Sequence, residues 1–373
     1  MCLPTSVRAE GRLAPQLHIE YGEDENLSRK TITLLAGVLA ALAAIAIASV
    51  AGTAQARPQA GELTGAGSSF VAPLVAVWTQ QVDGALGLKV TYGPIGSGGG
   101  INAITNRTVD FGASDAPLTP DQFAACKSCV QIPWALSATA IAYNGGALPN
   151  HIRLTGPVLA NIFGGRITNW SDPAIKRLNK GKTLPDLKIT VIHRSDNSGT
   201  TYNLTDYLSR VSPSWKSAQG RGVSVNWPTG IGARGSSGVS AALSTTDGGI
   251  TYVDVAYTLK NHLKFAAMKN RAGIYALPGL TGIKSAAATI NRVAPDNGGI
   301  SIVNPAKTQK LAYPICTFTY VIIPKQSPKA ADLKRFVNWA LTKGQAFGPK
   351  LLFVPIPRVV LRASLKTTAL IHT

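Results

Sequence analysis

Acidic residues and cysteine are scarce in this chain of 373 residues. It contains 37 Lys and Arg but only 18 Asp and Glu, and residues 1–56 hold four and five of these. Residues 57–373 therefore carry 33 basic and 13 acidic side chains, a net charge of +20, and only one of the 13 is Glu. Such a charge favours an anionic partner: nucleic acid, an acidic envelope surface or a small anion.

Several fold classes are excluded by patterns that the sequence lacks. It has no sustained apolar heptads, which argues against a coiled coil, and no internal repeat of the length found in solenoids, which argues against a solenoid. Its 37 Gly and 23 Pro are too few and too aperiodic for collagen. With 45% hydrophobic and 15% charged residues, the chain can bury a core and is not a disordered polymer. Its length predicts two folding units or one large one.

The N-terminal region, residues 1–56, combines an extension with a predicted export signal at about residues 27–56. Arg29 and Lys30 precede the uncharged apolar stretch Thr31–Val50, and Ala51–Ala56 ends in an A-x-A pattern. We expect cleavage after Ala56, with a retained membrane anchor as the alternative. Export makes nucleic acid the least expected partner, and no Cys at the cleavage site offers a lipid attachment point.

The cysteines predict a local disulfide. In an oxidising compartment, the pair Cys126 and Cys129 is most simply a disulfide. A zinc site would need a second Cys or His pair at ligand spacing, and a redox C-x-x-C would need a thioredoxin-like context; both are missing. No metal and no cofactor are expected.

Short apolar strands alternate with helical patterns, which predicts an α/β fold. Three Gly- or Ser-rich turns each open a helical pattern, at residues 64–70, 93–100 and 194–200. Two helices have predicted buried faces, formed by Leu74, Val77, Trp78 and Val82, and by Leu333, Phe336, Val337 and Leu341. Residues 211–222 and 296–305 are predicted to be surface loops.

The three turns predict an anion site. A helix N-terminus exposes unpaired N–H groups and partial positive charge, and Ser, Thr and Gly there let an oxyanion approach. Capping alone is the alternative for any single turn. The turns match neither a P-loop, nor a dinucleotide fingerprint, nor a nucleophile elbow, so no catalytic residue is predicted. His193, beside the third turn, is interpreted as a packing or surface histidine.

Asp115 in DFGASDAPL places an acidic side chain among these turns. A carboxylate only accepts hydrogen bonds, so it would select an anion that still carries a proton. The alternative is that Asp115 merely caps or turns the chain before Thr119.

Taken in order, TGAGSSFVAPL, IGSGGGINAI, DFGASDAPLT, HRSDNSGTTYNLTDYL and NWPTGIGARGSSGV resemble the phosphate-binding proteins of phosphate ABC transporters, the PstS family. NIFGGRITNWSDPAI, GGITYVDVAY and YPICTFTYVIIP add to the resemblance, which covers roughly residues 62–358. It implies a type II periplasmic-binding-protein fold: two α/β lobes, joined by two crossing strands, with the ligand in the cleft between them. Lobe 1 would comprise residues 57–139 and 316–373, and lobe 2 residues 140–315.

The resemblance also implies the ligand contacts. Asp196 matches the acidic residue that orients the arginine, and Phe70 would act through its backbone. The implied phosphate-binding residues are Ser69, Phe70, Ser97, Asp115, Arg194, Ser198, Gly199 and Thr200.

The function implied is a non-enzymatic receptor, in the periplasm or at the outer face of the cytoplasmic membrane. It would capture inorganic phosphate and deliver it to permease subunits served by cytoplasmic ATPase subunits, as a monomer or in a transient complex. One alternative is a sulfate binder, against which Asp115 argues. Another is an exported phosphatase with Ser69 or Ser97 as nucleophile, which would need an activating base or metal. An adhesin function of the basic surface could coexist with phosphate binding.

Overall fold

The computed structural model of the protein describes residues 61–294 and 298–373. The predicted extension and export signal, residues 1–56, lie outside the described residues. Residues Ala60–Thr373 form one compact unit. Among the described residues, no helix has the length and apolar character that crossing a membrane requires.

The described residues contain twelve strands. In chain order they are β1 (Gly61–Gly67), β2 (Leu88–Gly93), β3 (Phe111–Ser114), β4 (Cys129–Tyr143), β5 (Arg153–Leu154), β6 (Thr190–Arg194), β7 (Ile231–Ala233), β8 (Gly249–Asp254), β9 (Lys264–Phe265), β10 (Ala267–Lys269), β11 (Tyr275–Ala276) and β12 (Cys316–Pro324).

The same residues contain twelve α-helices. They are α1 (Ala72–Leu86), α2 (Ser97–Thr105), α3 (Pro120–Ala125), α4 (Gly156–Phe163), α5 (Pro173–Leu178), α6 (Gly199–Val211), α7 (Pro213–Ala218), α8 (Gly235–Thr245), α9 (Val255–Lys260), α10 (Leu280–Ala287), α11 (Ala330–Leu341) and α12 (Arg358–Thr368).

One large sheet runs through the molecule in the order β2-β1-β3-β12-β4-β8-β6-β7, with β9 also paired to β4. Strands β2, β1 and β3 are parallel to one another, and so are β8, β6 and β7. The long, fully buried strand β4 joins the two sets, because its first part pairs with β12 and its last five residues pair with β8. The predicted α/β fold with two lobes is confirmed.

The chain crosses between the two sets of strands at two neighbouring places. Strand β4 passes from one set to the other near Thr139, and the chain returns into β12 at Cys316, which pairs with Ala138. The Thr139 N–H donates to the Ile315 carbonyl across the two crossings, with a nitrogen–oxygen distance of 2.8 Å. The lobe limits given above, 57–139 with 316–373 and 140–315, remain a prediction.

Each half of the sheet has its own aromatic core. Trp78, Phe111, Trp134 and Phe336 pack edge to face or tilted beside β1 and β3. In the other half, Trp227 contacts Phe163, Trp215 and Tyr252 and stacks on His193 with ring centroids 4.9 Å apart. His193 therefore has a packing role.

The predicted buried faces are largely right. All four predicted residues of α11 are buried. In α1, Leu74, Trp78 and Val82 are buried, but Val77 is half-exposed and Val75 is buried instead. The physical reason is helical spacing: positions 75, 78 and 82 lie on one stripe at 3.6 residues per turn, and position 77 lies off it.

The predicted loop at residues 211–222 is wrong, because it contains helix α7. Ser212 caps this helix by accepting a hydrogen bond from the Trp215 N–H, and Pro213 occupies its first turn. Proline is tolerated there, where its missing N–H has no intrahelical partner. Burial of Trp215 in the core explains why so short a helix forms.

The three cysteines of the described chain have different states. Cys126 and Cys129 form a disulfide at the end of α3 and the start of β4. The Arg107 guanidinium donates to the Cys126 carbonyl and lies within 3.7 Å of both sulfur atoms. Cys316 is a buried free thiol, and burial raises its pKa.

Candidate functional site

The predicted site residues converge at the carboxyl ends of the parallel strands of both lobes. Ser69 follows β1, Ser97 follows β2 and Asp115 follows β3. On the other side, Arg194 ends β6 and Ser198 begins the turn into α6. Ligand sites of open α/β sheets lie at this end of the strands. All eight predicted contact residues are buried.

The two walls of this cleft touch each other. The Ser69 and Ser236 hydroxyls are 2.9 Å apart, and the Ser69 oxygen accepts a hydrogen bond from the Ser236 N–H. The Gly98 N–H donates to the Asn197 carbonyl at 2.9 Å. The described arrangement is therefore a closed cleft, with α2 and α8 seated against the opposite wall.

Asp115 lies at the centre of the first wall and is 2% exposed. Its Oδ1 accepts hydrogen bonds from the hydroxyls of Ser68 and Thr319, at 2.5 and 2.8 Å. Among the described residues, its Oδ2 has a single, long contact of 3.5 Å with the Ser97 hydroxyl, so this oxygen keeps accepting capacity. Burial raises the pKa of Asp115 to about 6, although these hydroxyls and Arg194 favour the ionised form.

Helix α6 brings its first residues directly against this carboxylate. A Cβ atom on Gly199 would lie 2.5 Å from the Ser97 Oγ and 2.7 Å from the Asp115 Oδ2. The closed cleft thus has no room for any side chain at position 199. Ser198 caps the helix by accepting from the Thr201 N–H, which leaves the hydroxyl proton of Ser198 free to be donated elsewhere.

Arg194 supplies the positive charge of the second wall and is 4% exposed. Its Nε and Nη2 form a two-point ion pair with Asp196, at 2.6 and 2.5 Å, while Nη1 lies 3.5 Å from the Thr200 hydroxyl. Burial opposes ionisation of Asp196, but the bonds from Arg194 and from the Gly235 N–H outweigh it, and its pKa is lowered. Asp196 therefore orients the guanidinium and leaves Nη1 directed towards α6.

The segment that holds Ser69 and Phe70 is fixed by its neighbours. The Ser68 oxygen accepts hydrogen bonds from the N–H groups of Phe70 and Val71, at 3.1 and 3.3 Å. The hydroxyls of Tyr92 and Tyr257 donate to the carbonyls of Ser68 and Ser69. In this closed cleft the Phe70 N–H is thus already paired, so a ligand there would share it with Ser68 or replace that bond.

Four residues of the site were not predicted from the sequence. Ser68 and Thr319 hold the Asp115 carboxylate, and Ser236 meets Ser69 across the cleft. The signal for Ser68 and Ser236 was present, since both belong to Ser-Ser pairs that open helices. Thr319 lies in the middle of β12 and carried no signal, because its place is set by the pairing of β12 with β3.

The fourth missed residue is Asp254, a fully buried carboxyl at the end of β8. Its Oδ1 accepts the Ala256 N–H and caps α9. Burial raises its pKa well above the ordinary value, and the negative charge of nearby Asp115 adds to this. Asp254 thus adds a second buried carboxyl near Asp115, and its burial favours the protonated form.

The cleft can therefore recognise a small oxyanion that carries a proton. Arg194 and the first turn of α6 offer charge and donors, and the hydroxyls of Ser69, Ser97 and Thr200 offer further donors. The Asp115 Oδ2 can only accept, unless it is protonated. Together they match a tetrahedral oxyanion with acidic hydroxyl groups.

Comparison with known proteins places the chain in a class and then in a family. The pattern of the PBP superfamily domain matches residues 52–343, and the fold and cleft are those of substrate-binding proteins. The phosphate-binding protein PstS of Xylella fastidiosa, strain Temecula1, is 39% identical over 300 residues, covering 79% of this chain and 82% of that protein. PstS of Pasteurella multocida is 38% identical, covering 82% and 89%. The chain belongs to the PstS family of phosphate-binding proteins.

Solved structures support the fold. A human phosphate-binding apolipoprotein superposes with a TM-score of 0.66 at 22% identity, covering 81% of this chain and 93% of that one. A phosphate-binding protein from Stenotrophomonas maltophilia gives 0.64 at 23% identity, covering 82% and 94%.

Proposed function

We propose that the protein is an extracytoplasmic receptor that captures inorganic phosphate and delivers it to an ABC-type importer. The observation that carries this proposal is the buried cleft in which Arg194, oriented by Asp196, faces Asp115. A cation and an acceptor in one desolvated site select an anion that still carries a proton, and phosphate is such an anion.

In this proposal the ligand contacts are the eight residues predicted from the sequence. Arg194, Ser198, Gly199 and Thr200 would bind from lobe 2, where the helix N-terminus and the guanidinium favour negative charge. Ser69, Phe70, Ser97 and Asp115 would bind from lobe 1. The Asp115 Oδ2 would accept the phosphate proton.

Delivery requires a membrane partner and an exported protein. We propose that the closed cleft is the form presented to the permease subunits, and that opening about the β4 and β12 crossings releases phosphate. The export signal at residues 27–56 would place the protein outside the cytoplasmic membrane. Family membership among binding proteins and the basic surface are consistent with this role.

The direct test is calorimetric titration of the purified protein with phosphate, sulfate and arsenate. We expect tight binding of phosphate and arsenate, which share a tetrahedral shape and a proton, and much weaker binding of sulfate. A buried polar site can disfavour a ligand without the matching group by roughly 10⁴-fold. Equal affinity for sulfate and phosphate would contradict the proposal.

We also propose that the protein does not hydrolyse phosphate esters. Catalysis by Ser69 or Ser97 would need an activating base. The Ser69 hydroxyl instead meets Ser236, and Ser97 meets the weakly basic Asp115. Incubation with a generic phosphomonoester should release phosphate no faster than the buffer does. Turnover that disappears in Ser69→Ala or Ser97→Ala would establish the enzymatic alternative.

A further inference from the structure

The C-terminal helix α12 forms one wall of a basic groove on the surface. The groove has a volume of about 790 Å³, and residues Asn291–Val293 form part of its other side. Arg358, Arg362 and Lys366 of α12 line it and are exposed, and Arg292 faces them from the other side. We call this feature the α12 groove.

Among the residues that the structure describes, no acid pairs with the cations of the α12 groove. Positions 358, 362 and 366 are four residues apart, so they form one stripe, and like charges at this spacing destabilise a helix. Within residues 61–294 and 298–373, none of these three cations nor Arg292 forms an ion pair. The sequence after Asp332 contains no acidic residue at all. A bound anion would therefore relieve a repulsion that the fold leaves in place.

The charge belongs to a wider asymmetry in the chain. Residues 255–373 contain 17 basic and two acidic residues, whereas residues 57–254 contain 16 and 11. The net charge of +20 thus comes mostly from the C-terminal third, as +15 against +5. The α12 groove lies within this third.

Apolar side chains accompany the cations. Val293 and Val359 line the α12 groove and are half-buried, and Leu370, just beyond the helix, is 48% exposed. The opposite face of α12 is fixed, because Ser364 is buried and its hydroxyl donates to the Pro133 carbonyl at 2.8 Å. The helix therefore presents a rigid surface that is both cationic and apolar.

A second basic pocket among the described residues lacks this combination. That pocket is lined by Arg210, Lys216, Arg221 and Arg271, but it contains Asp206, which pairs with Arg210 and Arg221. Its charge is thus partly neutralised within the fold. None of its described lining residues is aliphatic, whereas Val293, Val359 and Leu370 line the α12 groove.

We propose that the α12 groove docks the protein on a membrane surface by binding an anionic phospholipid. The lipid phosphate would lie among Arg292 and the three α12 cations, and the glycerol and upper acyl region would contact Val359 and Leu370. Cations near an anionic bilayer and apolar side chains inserted at its interface both contribute to such binding. Docking would concentrate the protein beside its importer, and only this consequence rests on the proposed function.

The test uses the chain from Arg57 onward, because Ala60–Thr373 is a compact unit and the apolar Thr31–Val50 stretch would itself enter lipid. Its partition into phosphatidylglycerol–phosphatidylcholine vesicles is measured by co-sedimentation, with pure phosphatidylcholine vesicles as reference. The triple variant Arg358→Gln, Arg362→Gln and Lys366→Gln is compared with a charge-matched control on exposed residues near α5, Lys176→Gln, Arg177→Gln and Lys180→Gln.

We expect binding that needs phosphatidylglycerol and falls on the order of 100-fold in the α12 variant, since each cation near the surface contributes roughly a factor of five. The α5 control should bind nearly as wild type, and Leu370→Ser should weaken binding several-fold. Phosphate titration should be unchanged in all variants, which separates this proposal from that of the cleft.

Three outcomes would overturn the proposal. Equal loss in the α12 and α5 variants would mean that net charge alone drives binding. Retention of vesicle binding by the α12 variant, with loss of binding to soluble dextran sulfate, would identify a polyanion site instead. An unchanged Leu370→Ser variant would remove the apolar contact, and with it the seating of a lipid in the groove.

Discussion

The two walls of the cleft have similar backbone architecture but carry side chains of opposite charge. Both are formed at the carboxyl ends of three parallel strands and carry Ser-containing turns, after β1 and β2 in the first wall and after β6 and β7 in the second. Among the described site residues, the first wall contributes the Asp115 carboxyl and the second contributes the Arg194 cation and the capped start of α6. The second wall can therefore select a ligand by its negative charge, whereas the first wall can select it by the proton that it carries.

The walls also differ in how they hold their charged group. Arg194 is paired with a neighbour two residues away, Asp196, so its orientation is largely local. Asp115 is held by Ser68 and Thr319, which lie 47 and 204 residues away in the chain. We call the first wall, with Asp115, the acceptor wall and the second wall, with Arg194, the donor wall. The charged group of the acceptor wall is thus held by residues distant in the chain, whereas that of the donor wall is held by a residue of its own turn.

Removing the charge of the donor wall should have the largest effect. Arg194→Met should weaken phosphate binding by about 4 kcal/mol, close to 1,000-fold, because the main cation of a desolvated site is lost and Asp196 loses its ion-pair partner. Calorimetry measures the affinity, and Arg177→Met on exposed α5 is the control. Unchanged affinity in a folded Arg194→Met protein would remove this residue from the site.

Filling the gap between the walls should have the next largest effect. Gly199→Ala places a Cβ atom 2.5 Å from the Ser97 Oγ, so the cleft cannot close fully. We expect about 3 kcal/mol weaker phosphate binding, typical of severe overpacking. Since alanine suits a helix, the thermal stability without ligand should change little. Gly84→Ala in α1, with open space around it, is the control. Normal phosphate affinity in Gly199→Ala would mean that closure is looser than the structure indicates.

The buried Asp115 carboxyl of the acceptor wall should make the unfolding free energy of the ligand-free protein depend on pH. Burial raises the pKa of Asp115 from 3.8 to about 6. The folded state therefore holds the Asp115 proton more tightly than the unfolded state does. The resulting contribution to the free energy of unfolding, up to about 3 kcal/mol, is fully present below about pH 4 and is lost as the pH rises through 6. Asp115→Asn should remove that loss. Urea unfolding at pH 4.5 and 7.5 should show the variant gaining on wild type at the higher pH. Asp247→Asn, at an exposed position, is the control and should not gain stability in this way. If the unfolding free energies of Asp115→Asn and wild type changed equally between the two pH values, the burial argument would be contradicted.

The smallest expected effect concerns selectivity. The Asp115 carboxylate can accept a proton from phosphate but meets only lone pairs on sulfate, which repels the wrong ligand. An amide at this position can also donate. In Asp115→Asn we expect the phosphate-to-sulfate preference to fall by about 1.5–3 kcal/mol, the range for hydrogen bonds to charged groups. Calorimetric titration of both anions measures it. An unchanged ratio would leave Asp115 as a turn residue.

The sequence by itself predicted the α/β class, the buried face of α11 and the three turns that open α1, α2 and α6. These depend on local chemistry: periodicity, strand propensity and helix capping. The Arg194–Asp196 pair was also within reach, since the two residues are neighbours in one turn. The helix at Pro213 was missed because proline and serine indicate both loops and helix starts.

The tertiary structure alone decided which residues complete the site. Thr319 reaches Asp115 only because β12 pairs with β3, and Ser236 reaches Ser69 only because the two halves of the sheet close on each other. The raised pKa of Asp115 and of Asp254 comes from burial, which depends on packing between distant segments. Local patterns determine where a turn can bind an anion, whereas long-range contacts determine which oxygen remains to accept its proton.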